Sequence, residues 1–354
     1  WDGTNNEIEL VTDVVEPRGN EEELAQVKDL LGSFSTDFST SGAGRAKNVT
    51  NGCSKINGTI LYPGDSFDMA KTVSPFTQEN GYELAGAYQN GTTVESFGGG
   101  ICQVATTLYN AVIRAELEIT MRFNHSMLVS YVQPSMDAAI AGDYKDLRFK
   151  NNLDAPVYIE GYCSGGVIYF NVYGKETRPA NREISFESET VSTTDPETKF
   201  NLDSSLAIGY WSVDQSAHTG CVAQLWKIVK VDGEQQSRDL FNKSNYQASP
   251  KIITIGTKGA NKETLAALKE AVATGDEAKV RSAASSLKTD EESKKEEEDK
   301  KDQENTSDSD GKKNDDKKDD SKKDDSSNEN KSDNKTDNKS DNASSKSDSE
   351  ESSN

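Results

Sequence analysis

The chain has 354 residues and a net charge of −21, with 32% apolar and 29% charged side chains. Residues 290–354 hold 24 acidic and 14 basic side chains and no aromatic, too little apolar surface to offset the entropy of ordering, so a disordered polyampholyte tail is expected over 289–354. The rest suffices for one to three domains. No apolar run reaches the roughly 18 residues of a membrane span, and an acidic balance without a basic patch argues against nucleic acid.

The chain opens at Trp1 inside what reads as a strand, with no initiator Met and no secretory leader. A truncated chain is inferred, from which a native N-terminal anchor could have been removed. A turn at Pro17-Arg18-Gly19-Asn20 leads to an acidic segment, EEELAQVKDLLG, with glutamates suited to a helix start and Gly32 to its stop. Residues 33–178 read as the first complete unit. It has an extended Ser/Thr/Gly segment, a helix over RAKNVTNGCSKING, strand and turn at TILYPGDSFDM, and a Gly-rich loop entering a long helix, SFGGGICQVATTLYNAVIRAEL. Val104, Leu108, Ala111, Val112 and Ala115 recur there at helical spacing. ITMRF and MLVSYV read as strands. LRFKN, APVYIEGYC and GVIYFNVYGK read as an antiparallel meander turning at Asn151-Asn152 and Ser164-Gly165-Gly166. Residues 180–257 read as a thin all-β module, with a hairpin turn at Val231-Asp232-Gly233-Glu234. Residues 261–288 read as a helical hairpin turning at Thr274-Gly275-Asp276. The expected fold class is α+β, a long helix packed on antiparallel strands followed by the β module and the tail.

Cys102 is the first candidate for chemistry. It follows three glycines at the start of a long helix, where unsatisfied N–H groups and the positive end of the backbone dipole favour thiolate over thiol. The bland alternative is a small buried hydrophobe. His125 is the one histidine of this unit. A helix folding back onto the next strand would bring its imidazole to the sulfur, giving a nucleophile with a base that also serves as acid. A third group would fix the tautomer. Asp137 is the better placed candidate and Asp146 the alternative. Gln103, by its amide or backbone N–H, could help form an oxyanion hole, as could Gly99, Gly100 and the Cys102 N–H. Arg45 could hold a substrate carboxylate. Cys53, Cys163 and Cys221 read as structural, and Cys221 beside His218 as incidental. The four cysteines are far apart without a C-x-x-C pair, so no metal is expected, nor any cofactor. One disulfide is possible, unplaced by sequence.

The runs FGGGICQVATTLYNAVIRAELEI, FNHSMLVSYVQPSMDAAIAG and DLRFKNNLDAPVYIEG, with the earlier YPGDSFDMAKTVSPFTQENGYELAGAY, resemble the VanW family of Gram-positive cell-envelope proteins over about residues 33–178. Residues 1–32 resemble the end of the peptidoglycan-binding-like region that often precedes it. Residues 180–257 resemble a G-five domain, with Gly209, Gly220, Gly233, Gly256 and IITIGTK in place, although Ala217 stands where a glycine is usual. Some VanW members are assigned as L,D-transpeptidases that form 3-3 cross-links through a cysteine. The resemblance therefore implies Cys102 in the GGGxCQ motif as nucleophile, His125 in the HS motif with Ser126 beside it, and Asp137 in the DA motif. It implies peptidoglycan stem peptides and wall glycan as partners and an extracellular, cell-envelope location. In the usual L,D-transpeptidase the histidine precedes the cysteine. Here the order is reversed, so the site is convergent or on another fold. Two rivals stand beside this expectation: a cysteine endopeptidase or carboxypeptidase using the same thiol, and a non-catalytic wall-binding protein with an inert Cys102.

Overall fold

The computed structural model describes residues 19–89, 92–142, 144–296 and 298. The strand expected around Trp1, most of the region expected at 1–32, and the tail beyond residue 298 lie outside the described residues.

The acidic segment is helical for one turn only, α1 (Glu21–Leu24), capped by the Asn20 side chain accepting from Glu23 N–H. From Asp29 the chain is strand β1 (Asp29–Asp37). This corrects the longer helix and carries a strand across the expected boundary at 32/33. Gly32, read as a helix stop, lets β1 cross the long helix closely: a Cβ there would lie 2.4 Å from the Ala111 carbonyl oxygen. Helix α2 (Ala43–Ile56), strands β2 (Thr59–Leu61) and β3 (Ser66–Asp68), helix α3 (Met69–Val73) and the hairpin β4 (Leu84–Gln89) and β5 (Thr92–Phe97) follow. Helix α4 (Ile101–Arg114) comes next, and all its residues except Cys102 and Arg114 are buried.

Strand β6 (Glu118–Met121) pairs with β7 (Arg148–Lys150), which also pairs with β3. β7 therefore does not join the meander expected with the next two strands, β8 (Val157–Ser164) and β9 (Val167–Gly174). Those lie in a separate antiparallel sheet ordered β1-β9-β8-β2. Buried Asn151 diverts the chain, its amide donating to the carbonyls of Leu61 and Ala155. The β8–β9 turn needs positive φ at Gly165 (59°) and Gly166 (80°), conformations glycine adopts without steric cost. Residues 122–147 are largely irregular, so MLVSYV is not a strand. Their backbone groups are satisfied largely by side chains instead. Helix α4 packs between α2 and the β1/β9 face, with Val104, Leu108, Ala111 and Val112 in the core beside Ile159, Phe170 and Val172.

The C-terminal module has two three-stranded sheets. One is β10 (Arg182–Thr194), β13 (Gly220–Val231) and β14 (Glu234–Tyr246), ordered β10-β13-β14. The other is β11 (Thr198–Ala207), β12 (Trp211–Gln215) and β15 (Lys251–Lys258), ordered β11-β15-β12. The first sheet leans on the preceding unit: Leu225 joins its core, and Cys221, Ala223 and Tyr246 pack with Leu128. The second is covered by helices α5 (Lys262–Ala273) and α6 (Glu277–Ser285), where Leu268 and Val280 close over Ile253 and Ile255. Residues 290–296 continue as helix, tied back by Asn261 to Ser293, so the expected tail does not begin at 289. Among the described residues no helix is long and apolar enough to cross a membrane.

Candidate active site

Cys102 is the second residue of α4, and the helix begins there without a side-chain cap. Gly100, at φ 111°, takes the N-cap position, while Ile101 N–H bonds back to Gly98 O and Gln103 N–H to Gly100 O. The N–H groups of Gly100 and Cys102 have no partner among the described residues. They are the donors left to an oxyanion at this end of the dipole. Gly99 is packed rather than open, since a Cβ there would lie 2.5 Å from Ala85 O, and its N–H reaches Ser96 O at 3.3 Å.

One face of α4 carries a polar stripe, Cys102, Thr106 and Asn110, at spacing four. Asn110 donates its amide to Met136 O (2.7 Å). Thr106 donates to Ala138 O (3.1 Å) and accepts Ala138 N–H (2.9 Å). Cys102 Sγ sits 3.4 Å from both the N–H and the carbonyl of Ile140. The rungs match because four helical residues advance about 6 Å and two extended residues about 6.6 Å. The odd residues of this segment turn the other way: Asp137 O accepts from Arg122 Nε at 2.7 Å, and Ala139 N–H donates to Phe123 O at 2.8 Å. The ribbon 136–140 thus joins α4 to the segment bearing His125.

Asp137 is fully buried, and each of its oxygens takes two donors. Oδ2 accepts His125 N–H and faces His125 Nδ1, both at 2.7 Å. Oδ1 accepts Tyr246 O–H at 2.5 Å and Arg122 Nη2 at 3.0 Å. With Nδ1 engaged, Nε2 of the buried His125 is the nitrogen left for the Cys102 sulfur. Burial alone would raise the thiol's pKa, but the hydrogen bond and charge of His125, with Ile140 N–H, outweigh it and hold the thiol below its ordinary value. Burial would lower the His125 pKa, but hydrogen bonds with Asp137 and Cys102 outweigh it and raise it to about 9. Burial opposes ionisation of Asp137 too, and the His125 hydrogen bond and Arg122 charge overcome it, leaving its pKa lowered. Both shifts act in the direction of thiolate and imidazolium rather than the neutral pair. Tyr131 stands edge-on to His125, ring centroids 6.5 Å apart. Burial and the charge of Cys102 push its own pKa well up.

The structure thus brings Cys102, His125 and Asp137 together. Asp146 is elsewhere, accepting Ala70 N–H, Leu147 N–H and Arg148 Nε. Gln103 departs from its expected oxyanion role. One helical residue turns the side chain about 100°, so its amide donates to Thr36 Oγ1 and Asp37 O on β1 while its backbone N–H is taken by Gly100 O. Its Oε1 accepts Arg45 Nη2 at 2.7 Å, and Arg45 Nη1 donates to Ser41. Arg45 is half-buried, has no carboxylate partner among the described residues, and its charge is felt at Tyr131 beside the sulfur. Ser126, half-buried beside His125, is tethered through its carbonyl to Gln247 N–H. Arg122, Tyr246, Thr106 and Asn110 escaped sequence reasoning. Only the Cys-Thr-Asn stripe at spacing four on an apolar helix was there to be read. All four cysteines are free, and Cys53 on α2 lies close enough to Cys163 on β8 for each to shift the other's pKa, Cys53 upward and Cys163 down to about 7.

Comparison with known proteins places two modules on this framework. A family model described as "VanW like protein" matches residues 44–173, and one described as "G5 domain" matches 186–258. The resemblance read from the FGGGICQ, NHS and MDAA segments therefore holds: the chain carries a VanW-like domain followed by a G5 domain. "Uncharacterized protein YoaR" of Bacillus subtilis (strain 168) is 33% identical over 172 residues, 48% of this chain and 57% of that protein. "Vancomycin B-type resistance protein VanW" of Enterococcus faecalis (strain ATCC 700802 / V583) is 26% identical over 110 residues, 29% of this chain and 40% of that protein. The chain spans less than two thirds of either relative. The solved "IgA1 Protease G5 domain structure" is 28% identical, covering 22% of this chain and 93% of its own, at a TM-score of 0.16.

Proposed function

We propose that the protein is a cell-wall acyltransferase, a peptidoglycan L,D-transpeptidase working through a thioester on Cys102. The observation that carries this reading is the continuous chain from Cys102, a residue only partly buried, to His125 and on to the buried Asp137. Such a chain has little purpose in a passive wall-binding protein, where a thiol at a helix start would be packed and neutral.

The thiolate attacks the carbonyl that joins an L-centre to a D-residue in a stem peptide, forming the C–S bond. The oxyanion that develops is received by the N–H groups of Cys102 and Gly100. As the C–N bond breaks, the His125 imidazolium gives its Nε2 proton to the departing D-amino acid, leaving a thioester and a neutral imidazole. The amine of a second stem then attacks the thioester and loses its proton to His125, and the thiolate leaves. Asp137 keeps the Nδ1 proton in place throughout. Arg45 is suited to the carboxylate of the leaving D-residue, its fork already oriented by Ser41 and Gln103. The G5 domain would keep the reaction close to wall glycan, in the cell envelope outside the membrane.

Intact-mass measurement after mixing with a disaccharide-tetrapeptide tests this. A mass gain on Cys102 equal to the disaccharide-tripeptide acyl group, the substrate less its terminal D-amino acid, followed by dimers when a second stem is present, is the expected result. Shortened monomers alone would mean that water takes the acyl group and the protein is a hydrolase. No adduct, with product formation unchanged in Cys102→Ala, would end the reading of Cys102 as the nucleophile.

A further inference from the structure

We infer that Tyr246, contributed by the G5 domain, is a positioning residue of the thiol–imidazole site, so that the site is complete only when strand β14 is docked against the His125 segment. This rests on the reading of Cys102, His125 and Asp137 as a working unit, and goes beyond it by giving the second domain a part in the chemistry.

Strand β14 ends with Asn242, Ser244 and Tyr246 at alternate positions, which places all three on one face. That face meets the loops carrying the candidate residues. The buried Tyr246 hydroxyl donates to Asp137 Oδ1 at 2.5 Å and accepts Ser135 N–H at 2.7 Å, so both its proton and a lone pair are committed there. Ser244 Oγ takes Arg122 Nη1 at 2.9 Å, fixing the guanidinium whose other end reaches the same Asp137 oxygen. Asn242 donates to Ser135 O, and just beyond the strand Gln247 N–H donates to Ser126 O at 2.7 Å.

Ser135 explains why the loop needs this support. It sits at φ 66°, a left-handed conformation costly for a residue with a side chain, and it is completely buried. Such strain persists only where the surroundings over-determine it. Here they do so with the Tyr246 hydroxyl on the Ser135 N–H and the Asn242 amide on its carbonyl. Two residues later, Asp137 must present Oδ2 to His125 Nδ1. Its opposite oxygen is pinned by Tyr246 and Arg122, which leaves the carboxylate no rotation away from the imidazole. Ordinary domain packing would need no contact directed at the carboxylate oxygen that His125 does not use.

The test is Tyr246→Phe in the full chain, which keeps the ring and removes one oxygen. Losing a donor to the ionised carboxylate raises the Asp137 pKa, so the acid limb of Cys102 alkylation against pH moves up by about one unit, and kcat for transfer falls about 10-fold with KM unchanged. Ser244→Ala, which frees Arg122 instead, displaces the same limb in the same direction and serves if Tyr246→Phe folds poorly. Tyr210→Phe, an exposed tyrosine of the same domain, leaves both readouts alone. Profiles for Tyr246→Phe and Ser244→Ala that superimpose on wild type overturn the positioning role. If the wild-type chain forms no thioester while Tyr246→Phe still displaces the alkylation profile, the transfer reading falls and the positioning role stands.

Discussion

Replacing Asp137 by asparagine tests the clamp on His125 with a change of one atom. The carboxylate receives four donors, two per oxygen: His125 N–H and Nδ1–H on one, Tyr246 O–H and Arg122 Nη2 on the other. An amide offers a single acceptor oxygen, so two of the four donors must face its NH2 group. The Arg122 side chain is only 7% exposed, and its charge draws the amide oxygen to its own side. The buried His125 N–H is then orphaned, and Nδ1 must give up its proton to accept from the amide. An orphaned buried donor and an uncompensated buried guanidinium together cost about 3–5 kcal/mol, the range for removing one partner of a buried pair. The same rearrangement moves the imidazole proton to Nε2, where it can no longer accept the thiol proton. Without that acceptor Cys102 returns to an ordinary thiol pKa or above it, and at pH 6 about 1 molecule in 300 is thiolate. Urea unfolding at pH 7 measures the first effect. Alkylation of Cys102 at pH 6, read by peptide mapping, measures the second. An Asp137→Asn protein that alkylates at pH 6 as fast as wild type refutes the tautomer argument, and an unchanged unfolding free energy refutes the four-donor clamp.

The pH dependence has a definite sign. The raised His125 pKa adds stability that is full below about 6.5 and is lost as pH rises through about 9, while the lowered Asp137 pKa adds stability present above about 4 and lost as pH falls through its depressed value. Transfer should therefore have an alkaline limb near 9, where His125 ceases to be an acid, with alkylation continuing above it; a limb near 6.5 would contradict the ion pair. Thr106→Val removes the middle rung beneath Cys102 and orphans the buried Ala138 N–H; we expect a loss of about 1–3 kcal/mol in urea unfolding together with slower Cys102 alkylation. Arg45→Ala should raise KM for a donor stem with a free terminal carboxylate about 10-fold, leaving kcat and the alkylation profile in place; an effect on kcat alone would assign Arg45 to the transition state instead.

The local signals in the sequence were good guides where a single helix or a single turn determines the answer. Three glycines before Cys102 and the apolar spacing after it define α4, and Cys102 stays partly open while the rest of the helix, except Arg114, is buried. The errors came where long-range pairing overrode local preference. The segment around Leu30 and Leu31 carries helix-favouring neighbours, yet it pairs as β1 with β9, a strand about 140 residues away. MLVSYV alternates like a strand, yet it splits its side chains among three tasks: Met127 goes to the interior, Leu128 to the G5 domain and Tyr131 to the sulfur. Position after the His125 segment favoured Asp137 over Asp146, but what separates them physically is the set of donors each meets, which sequence does not display. Tyr246 lies 109 residues beyond Asp137 in a different domain, and no local pattern announces it.

The ribbon explains how a histidine that follows the cysteine in sequence comes to meet it. Chain leaving the C-terminal end of α4 must return to its N-terminal end to bring anything to Cys102, and residues 136–140 do so antiparallel to the helix, from Asn110 to Thr106 to Cys102. Because backbone groups of an extended segment alternate sides, residues 136, 138 and 140 spend theirs on α4 while 137 and 139 spend theirs on the 122–125 segment. The same alternation puts Asp137 between two rungs and against His125. A slip of one residue would present the groups of 137 and 139 to α4 and carry the carboxylate away from the imidazole. The register set by the Thr106 and Asn110 hydrogen bonds therefore governs the meeting of sulfur and imidazole, and both residues lie on the helix that carries Cys102.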